Sequence, residues 1–508
     1  MDRKIYFGGD ILTMENGYVE SVVVEGERII FTGEEKLARQ KYEDLKEIDL
    51  RGLTMLPGFI DTHCHLSFGS EMISQPGVYE CKTKAQVLEK ISRIAEEYDI
   101  GEAIFVNGYE ENPMIDSSIN IYDLNEILPF NPVFLRNSGT HGTYVNSLAI
   151  DIVIKEAESR GLRLNYQRDG LLRDAANLLA LEISPSLISD KQKNKYKKKL
   201  IEECSSNGIT AVHTMEGRRQ HDDPEVKKMI EEMNDYPFHM KIYYQTTDVD
   251  EVKKYNLKQI GGCFNCILDG DIDPGTAAFT EAYENDESNY GRLYFSDEEL
   301  INFFGKAHRE GLQICVHAIG DAAIKQAIDA YETVLKENPK RHRHRIEHFE
   351  IASDELISKA KNLNLVLAMQ PVFDYHWPRD NYKPYIGEKR ADMKCRLRKI
   401  LDNGIKFGSG SDFPVTEMNP FLGINGAVFH SVKSSRISVY EALKSYTIDA
   451  AYIGFQEEDI GSIRVGKYAD FVILSQNPLK VNGELDKINI IKTIFKGREV
   501  WNLKGDKI

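Results

Sequence analysis

Between Leu56 and Asp412 the chain repeats one pattern, a short and nearly all-apolar run followed by a longer amphipathic stretch. Ten such runs are strand candidates: MLPGFIDTH, AIFVNGY, PVFLRN, GITAVHTM, HMKIYYQ, GCFNCILDG, LQICVHAIG, HRIEHFE, NLVLAMQP and GIKFGSGSD. Helical patterns separate several of them, such as SDEELINFFGKAHREG, where Ser296 caps a first turn of acids, and DAAIKQAIDAYETVLKENP. Strands apolar on both faces that alternate with amphipathic helices build a parallel sheet with helices outside. A chain of 508 residues has room for a closed (β/α)8 TIM-like barrel and a smaller module. Ten candidates for eight places mean that two are misread or belong to insertions. The segment 66–132 is long enough to be such an insertion, shaped as a lid.

The two ends have another texture. KIYFGGDILTM, VESVVVEGERIIFTG and KEIDLRGLTML near the start, and GSIRVGKYADFVILSQNPL and INIIKTIFKGREVW near the end, are short β-branched runs broken by glycine turns. Neither end alone has enough strands for a stable sheet. Residues 1–56 and 451–508 are therefore expected to form one composite β-sandwich, with the barrel at 57–450 between them.

The first barrel strand ends in DTHCH. Side chains on a strand alternate, so His63 and His65 face one way and Cys64 the other. Further candidate strands end in metal-ligand types: VHTMEG supplies His213 and Glu216, CVHAIGD supplies His317 and Asp321, RIEHFE supplies His348, and GSGSDFP supplies Asp412. In a parallel barrel the C-terminal strand ends carry the chemistry, so these residues converge on one rim and predict a divalent metal site. CFNC, Cys263 to Cys266, has no second cysteine pair at zinc-ribbon spacing.

Composition narrows the partners. A net charge of -16 argues against nucleic acid and anionic membranes, leaving a small-molecule substrate. The basic run KQKNKYKKKL reads as the solvated face of a helix. No signal peptide and no apolar span of about 20 residues is visible, and seven scattered cysteines fit a reduced cytoplasmic setting.

These residues resemble the amidohydrolase superfamily: PGFIDTHCH, a histidine on the fifth strand, another on the sixth, and an aspartate after the eighth stand in that superfamily's order. SGTHGTYVNSLAI, LDGDIDPGTAAF, HAIGDAA, RHRIEH, GEKRA and GSDFPV are similar to amidohydrolase family 3, the YtcJ-like branch that includes N-substituted formamide deformylases. The resemblance implies that His63, His65 and Asp412 bind a buried metal, with Asp412 also the proton shuttle. It implies that His317 and His348 bind a second metal or orient water and substrate, and that His141 donates to the substrate carbonyl. The ion would be zinc, manganese or iron, one or two per chain, and the protein a dimer.

One position departs from that branch. Where a carboxylated lysine commonly bridges two metals stands Asn265, which has no amine. Either the site is mononuclear or another group bridges; Glu216, read as closing a third strand at the barrel mouth, is the preferred substitute, and the Cys266 thiolate is an alternative. The loop QPVFDYHWPRDNYKPYIGEKR offers Trp377, Tyr382 and Arg390 as a substrate wall.

The expected activity is metal-dependent hydrolysis of an amide or N-formyl C–N bond. Alternatives are deamination of a nitrogen heterocycle, opposed by Gly320 where such enzymes carry a glutamate, lactone or ester hydrolysis, and a catalytically silent binding protein.

Overall fold

The computed structural model describes residues 3–109, 118–137, 142–164 and 170–503. Eight parallel strands follow one another in chain order: β1 Phe59–Cys64, β2 Ile209–Glu216, β3 His239–Tyr244, β4 Gln259–Ile267, β5 Gln313–Ala318, β6 Arg345–His348, β7 Val366–Met369 and β8 Phe407–Ser409. Backbone bonds just past β8 join it to β1, with Asp412 N donating to His63 O at 2.7 Å and His65 N to Phe413 O at 2.8 Å. The Asp61 carboxylate reinforces the seam by accepting from His63 N at 3.0 Å and Ser411 N at 3.1 Å. Gly410 is required there, because a Cβ would sit 2.5 Å from His63 N. The result is a (β/α)8 barrel.

Both helices read from the sequence are present. Ser296 and Glu299 make a reciprocal capping box ahead of Asp297–Arg309, and DAAIKQAIDAYETVLKE is helical over Asp321–Glu337. The strands are buried on both faces, as a helix-covered parallel sheet demands.

The terminal segments share one eight-stranded sheet. Arg3–Leu12, Tyr18–Glu25, Arg28–Gly33, Leu45–Asp49 and Thr54–Pro57 come from the start, and Phe471–Leu474, Ile490–Phe495 and Arg498–Asn502 from the end. The seam is antiparallel pairing of Thr54–Pro57 with Phe471–Leu474. Arg3–Leu12 breaks register between Phe7 and Ile11, pairing with Leu45–Asp49 before the break and Thr54–Pro57 after it. Tyr6, Ile11, Val24, Met55, Phe471 and Ile494 fill its core. Each such side chain contributes about 1.5–3 kcal/mol on burial.

Residues Phe68–Leu200 form a second compact unit. Its four-stranded sheet orders Leu171–Arg173, Gly142–Val145, Val133–Asn137 and Ile104–Tyr109. Alternation gives it two apolar faces, one core containing Phe105 and Phe134, the other Ile104, Val106 and Leu135. AIFVNGY and PVFLRN, the two surplus strand candidates, belong here. The unit extends well past the 66–132 segment expected as an insertion. The basic run lies in the helix Asp190–Ser206, which buries Gln192, Tyr196 and Leu200 while Lys191 and Lys195 pair with Asp99 and Glu97. No helix among the described residues is long and apolar enough to cross a membrane.

Candidate metal centre and active site

The site is built at the C-terminal rim of the barrel. Alternation on β1 sends His63 and His65 to the same side, and each ring is anchored through Nδ1. His63 Nδ1 lies 2.6 Å from Glu347 Oε2, and His65 Nδ1 lies 3.3 Å from Met215 O. Both partners only accept, so Nδ1 keeps its proton and Nε2 is the nitrogen turned toward the site. The two Nε2 atoms meet at Asp412 Oδ1, at 3.2 and 3.1 Å. Each Nε2 can face that carboxylate oxygen only by carrying a proton or by sharing a cation with it. Such a cluster calls for positive charge at its centre.

A layer below, Glu347 is held by the fully buried Arg345, whose Nε and Nη2 donate to its two oxygens at 2.8 and 2.7 Å. Arg345 also donates to Thr62 O at 2.8 Å, Tyr243 Oη at 2.7 Å and His213 Nδ1 at 3.1 Å. His213 therefore belongs to the barrel interior, with its Nε2 on Gln456 Oε1 at 2.9 Å, and is not at the rim. Burial, then the Arg345 charge, holds its pKa well below the usual value.

His348 and His317 complete the ring. Regular alternation would set His348 opposite Glu347, but its left-handed backbone (φ 68°) ends β6 and brings the imidazole to 4.9 Å from that of His63 and 4.5 Å from that of His317. His317 Nδ1 lies 3.4 Å from Asp269 Oδ1. The Asp269 carboxylate is itself fixed by the amides of Ala278, Ile319 and Gly320, at 2.9, 3.0 and 2.8 Å. Asp412 also has positive φ, 57°. Backbone of this kind in non-glycine residues is costly and concentrates at functional sites.

β4 contributes a cysteine through a bulge. Its register with β5 runs to Gly262 opposite Val316 and resumes with Ile267 opposite His317, extruding the CFNC stretch from the ladder. Gly261 makes the approach possible, since a Cβ there would lie 1.9 Å from Cys315 O. Cys263 Sγ then stands 3.5 Å from His63 Nε2 and 4.0 Å from His348 Nε2.

The electrostatics match the geometry. Burial works against charging His65, yet its bonds to Asp412 and Cys263 raise its pKa to about 9. Burial opposes charge on Asp412 too, but the imidazoles, His63 foremost, hold it well below the carboxylate range. Burial would raise the Cys263 thiol, and the His63 charge with contacts from His348 and His65 holds it well below the ordinary thiol range. Glu347 is depressed to about 2, burial being outweighed by Arg345 and His63.

A divalent cation fits this donor set. With metal–nitrogen and metal–oxygen bonds of about 2.0 Å and metal–sulfur bonds of about 2.3 Å, tetrahedral donors are about 3.3 Å apart for N and O, and about 3.5 Å for N and S. The His63–Asp412, His65–Asp412 and His63–Cys263 separations are 3.2, 3.1 and 3.5 Å. Among the described residues two groups bring their donor atoms within 4.8 Å of one another: His63, His65 and Asp412, and His63, Cys263 and His348.

A cavity of 290 Å³ opens onto this ring, walled by His317, His348 and Asp412 on one side and by Phe373, Trp377, Tyr382, Tyr385, Asp271 and Asp273 among others. Trp377 and Tyr382 stand where a substrate wall was expected. Arg390 does not: it is buried and donates to the carbonyls of Ile386, Glu281 and Ala282, at 2.8, 2.8 and 2.6 Å. Its work is to tie two loops together.

Glu216 also lies elsewhere. It closes the second barrel strand rather than a third, and alternation puts it on the face of Thr214, opposite His213 and Met215. Its Oε1 accepts from Thr214 Oγ1 and, at 3.3 Å, from Ser67 N. Cys266 is buried outside the donor groups. Asn265 donates to Gln245 O at 3.0 Å, and so is engaged away from the ring. His141 lies outside the described residues. The sequence reading missed Cys263, Glu347 and Arg345. The double glycine before Cys263 was the available sign of a bulge, and the alternation in RIEH was the sign that Arg345 and Glu347 share a face.

Comparison with known proteins follows the same line. A profile described as the amidohydrolase family matches residues 46–501. The chain is 29% identical to the putative amidohydrolase YtcJ of Bacillus subtilis, across 98% of this chain and 99% of that one. It is 25% identical to the N-substituted formamide deformylase of Arthrobacter pascens, across 95% of each. A solved structure of an uncharacterized metal-dependent hydrolase from Pyrococcus furiosus superposes with a TM-score of 0.80 at 25% identity, covering 94% of this chain and all of the other, 100%.

Proposed function

The chain belongs to the amidohydrolase family and is a metal-dependent hydrolase acting on carbon–nitrogen bonds, and from that premise we propose that it hydrolyses the amide or N-formyl bond of a small molecule with Asp412 as the proton carrier. The observation that carries this reading is the meeting of Asp412 Oδ1 with His63 Nε2 and His65 Nε2, 3.2 and 3.1 Å away, at the wall of the cavity.

His63, His65 and Asp412 would hold the ion, with His317 and His348 beside it. Nitrogen, sulfur and carboxylate donors suit zinc, with manganese or iron as alternatives. When bound, such a cation lowers the pKa of water toward ~7 and polarises a carbonyl oxygen. Asp412 faces both the imidazoles and the cavity, so its carboxylate takes a proton from the attacking water and returns it to the leaving amine nitrogen. His348, whose Nδ1 has no hydrogen-bond partner and whose ring lines the cavity, orients the carbonyl oxygen. The aromatic wall together with Asp271 and Asp273 favours an amine portion that is aromatic or positively charged.

Deamination is the weaker reading for a steric reason. The position expected to carry a glutamate is Gly320, where even a Cβ would lie 2.0 Å from Ala278 O.

The test is a screen of N-formyl amines, N-acyl amines and cyclic amides with metal-loaded enzyme, beside Asp412→Asn. Release of free amine by wild type and a loss of about a thousandfold in the variant are expected. Absence of amine release across all three classes, or full activity in Asp412→Asn, would remove the reading.

A further inference from the structure

We propose that Cys263 is a metal ligand, its sulfur joining the donors of His63, His65 and Asp412 from the side that faces His348. This inference rests on the metal-dependent reading above. It puts a thiolate where the YtcJ-like resemblance calls for a carboxylated lysine.

Position is the first argument. The sulfur lies between imidazoles from opposite parts of the ring, 3.5 Å from His63 Nε2 on β1 and 4.0 Å from His348 Nε2 at the end of β6. The shorter distance equals the sulfur–nitrogen edge of a tetrahedral zinc site, about 3.5 Å. The longer one keeps His348 within reach of the same ion.

Chemistry is the second. With its Nδ1 bound to Glu347, His63 turns Nε2 toward the sulfur, the nitrogen it has left to ligate an ion. The other cysteines nearby behave differently: Cys64 Sγ donates to His213 O and Cys315 Sγ to Ile260 O, both at 3.6 Å. Those are satisfied thiols in a core. Cys263 faces donors that need a cation.

The bulge is also built to hold this position. Gln245 Oε1 accepts from Cys263 N at 3.0 Å, Gln245 O accepts from Asn265 Nδ2 at 3.0 Å, and Gln245 Nε2 is anchored on Gly217 O at 3.0 Å. One glutamine on the loop after β3 thus fixes the cysteine's backbone and draws the asparagine aside. The same residue that keeps Asn265 out of the ring thus holds Cys263 in it.

The experiment uses the full-length protein loaded with cobalt(II), read by absorption, and with zinc, read by X-ray absorption. Wild type should show a sulfur-to-cobalt charge-transfer band in the near ultraviolet and a zinc–sulfur distance of about 2.3 Å. Cys263→Ser should lose the band and at least half of the bound cobalt, while Cys266→Ser and Cys64→Ser keep both. If Cys263→Ser fails to fold, a band in wild type that persists in Cys266→Ser, Cys64→Ser and Cys315→Ser still assigns the sulfur, because among the described residues no other cysteine stands in a donor group. Cobalt bound with d–d bands but no charge-transfer band would overturn the cysteine proposal and leave the metal reading standing. A folded wild type that binds neither cobalt nor zinc would overturn both.

Discussion

Glu347 Oε2 lies 2.6 Å from His63 Nδ1, and this contact decides which nitrogen of His63 faces the site. The carboxylate is in turn clamped by Arg345, with both side chains fully buried. A charge pair from the barrel interior thereby sets the orientation of a histidine at its rim.

Glu347→Gln should weaken metal binding by about 10–100-fold, as expected when the group behind a ligating histidine is lost. It should also destabilise the fold by about 3–5 kcal/mol, because Arg345 is left as an uncompensated buried charge. Chelator competition and chemical denaturation measure the two effects separately. Wild-type metal affinity in this variant would show that the contact does not control His63.

Protons and metal should compete at His65. Its pKa in the metal-free protein is raised from 6.5 to about 9, so the stabilisation it brings is complete below pH 6.5 and lost as pH climbs through about 9. The thermal midpoint of chelator-treated enzyme should therefore fall across that window. Metal affinity should rise over the same range, because binding then displaces fewer protons. Scanning calorimetry at several pH values, with and without zinc, checks both trends; a metal-free midpoint that climbs toward pH 9 would contradict them.

Asn265 cannot be carboxylated, so metal loading should not depend on dissolved carbon dioxide. Enzyme reconstituted in degassed, bicarbonate-free buffer should take up as much zinc as enzyme given excess bicarbonate. A severalfold gain on adding bicarbonate would indicate a carboxylated lysine instead.

Glu216→Gln should retain the full metal content, since Glu216 is satisfied by Thr214 and Ser67. Arg390→Ala should lower the thermal midpoint, with three carbonyls losing their donor at about 1 kcal/mol or more each. Metal analysis and melting curves distinguish these outcomes from roles at the site.

Trp377 is 38% exposed on the cavity wall. Truncating it to alanine removes part of a contact worth about 1.5–3 kcal/mol when complete. KM should rise about five- to tenfold with kcat nearly unchanged. A kcat collapse with unaltered KM would place the ring in the chemistry instead.

Much of this was legible in the chain. Periodicity alone separates His63 and His65 from Cys64, the alternation of apolar runs and amphipathic helices specifies a parallel barrel, and the β-branched texture shared by the two ends sets them apart from it. These are local properties, repeated each turn or each pleat, and they survive being read one segment at a time. The sequence determined which residue types reach the strand ends. Tertiary structure decided which of them meet. Glu216 and Cys263 both stand on strands that end near the rim, yet strand alternation turns the first toward Thr214, while a bulge held by Gln245 brings the second to His63. AIFVNGY and PVFLRN have the same apolar content as the barrel strands but pair with each other in a different sheet. Pairing, bulges and left-handed turns such as that at His348 depend on neighbours distant in sequence, and a one-residue change of register redirects every side chain after it.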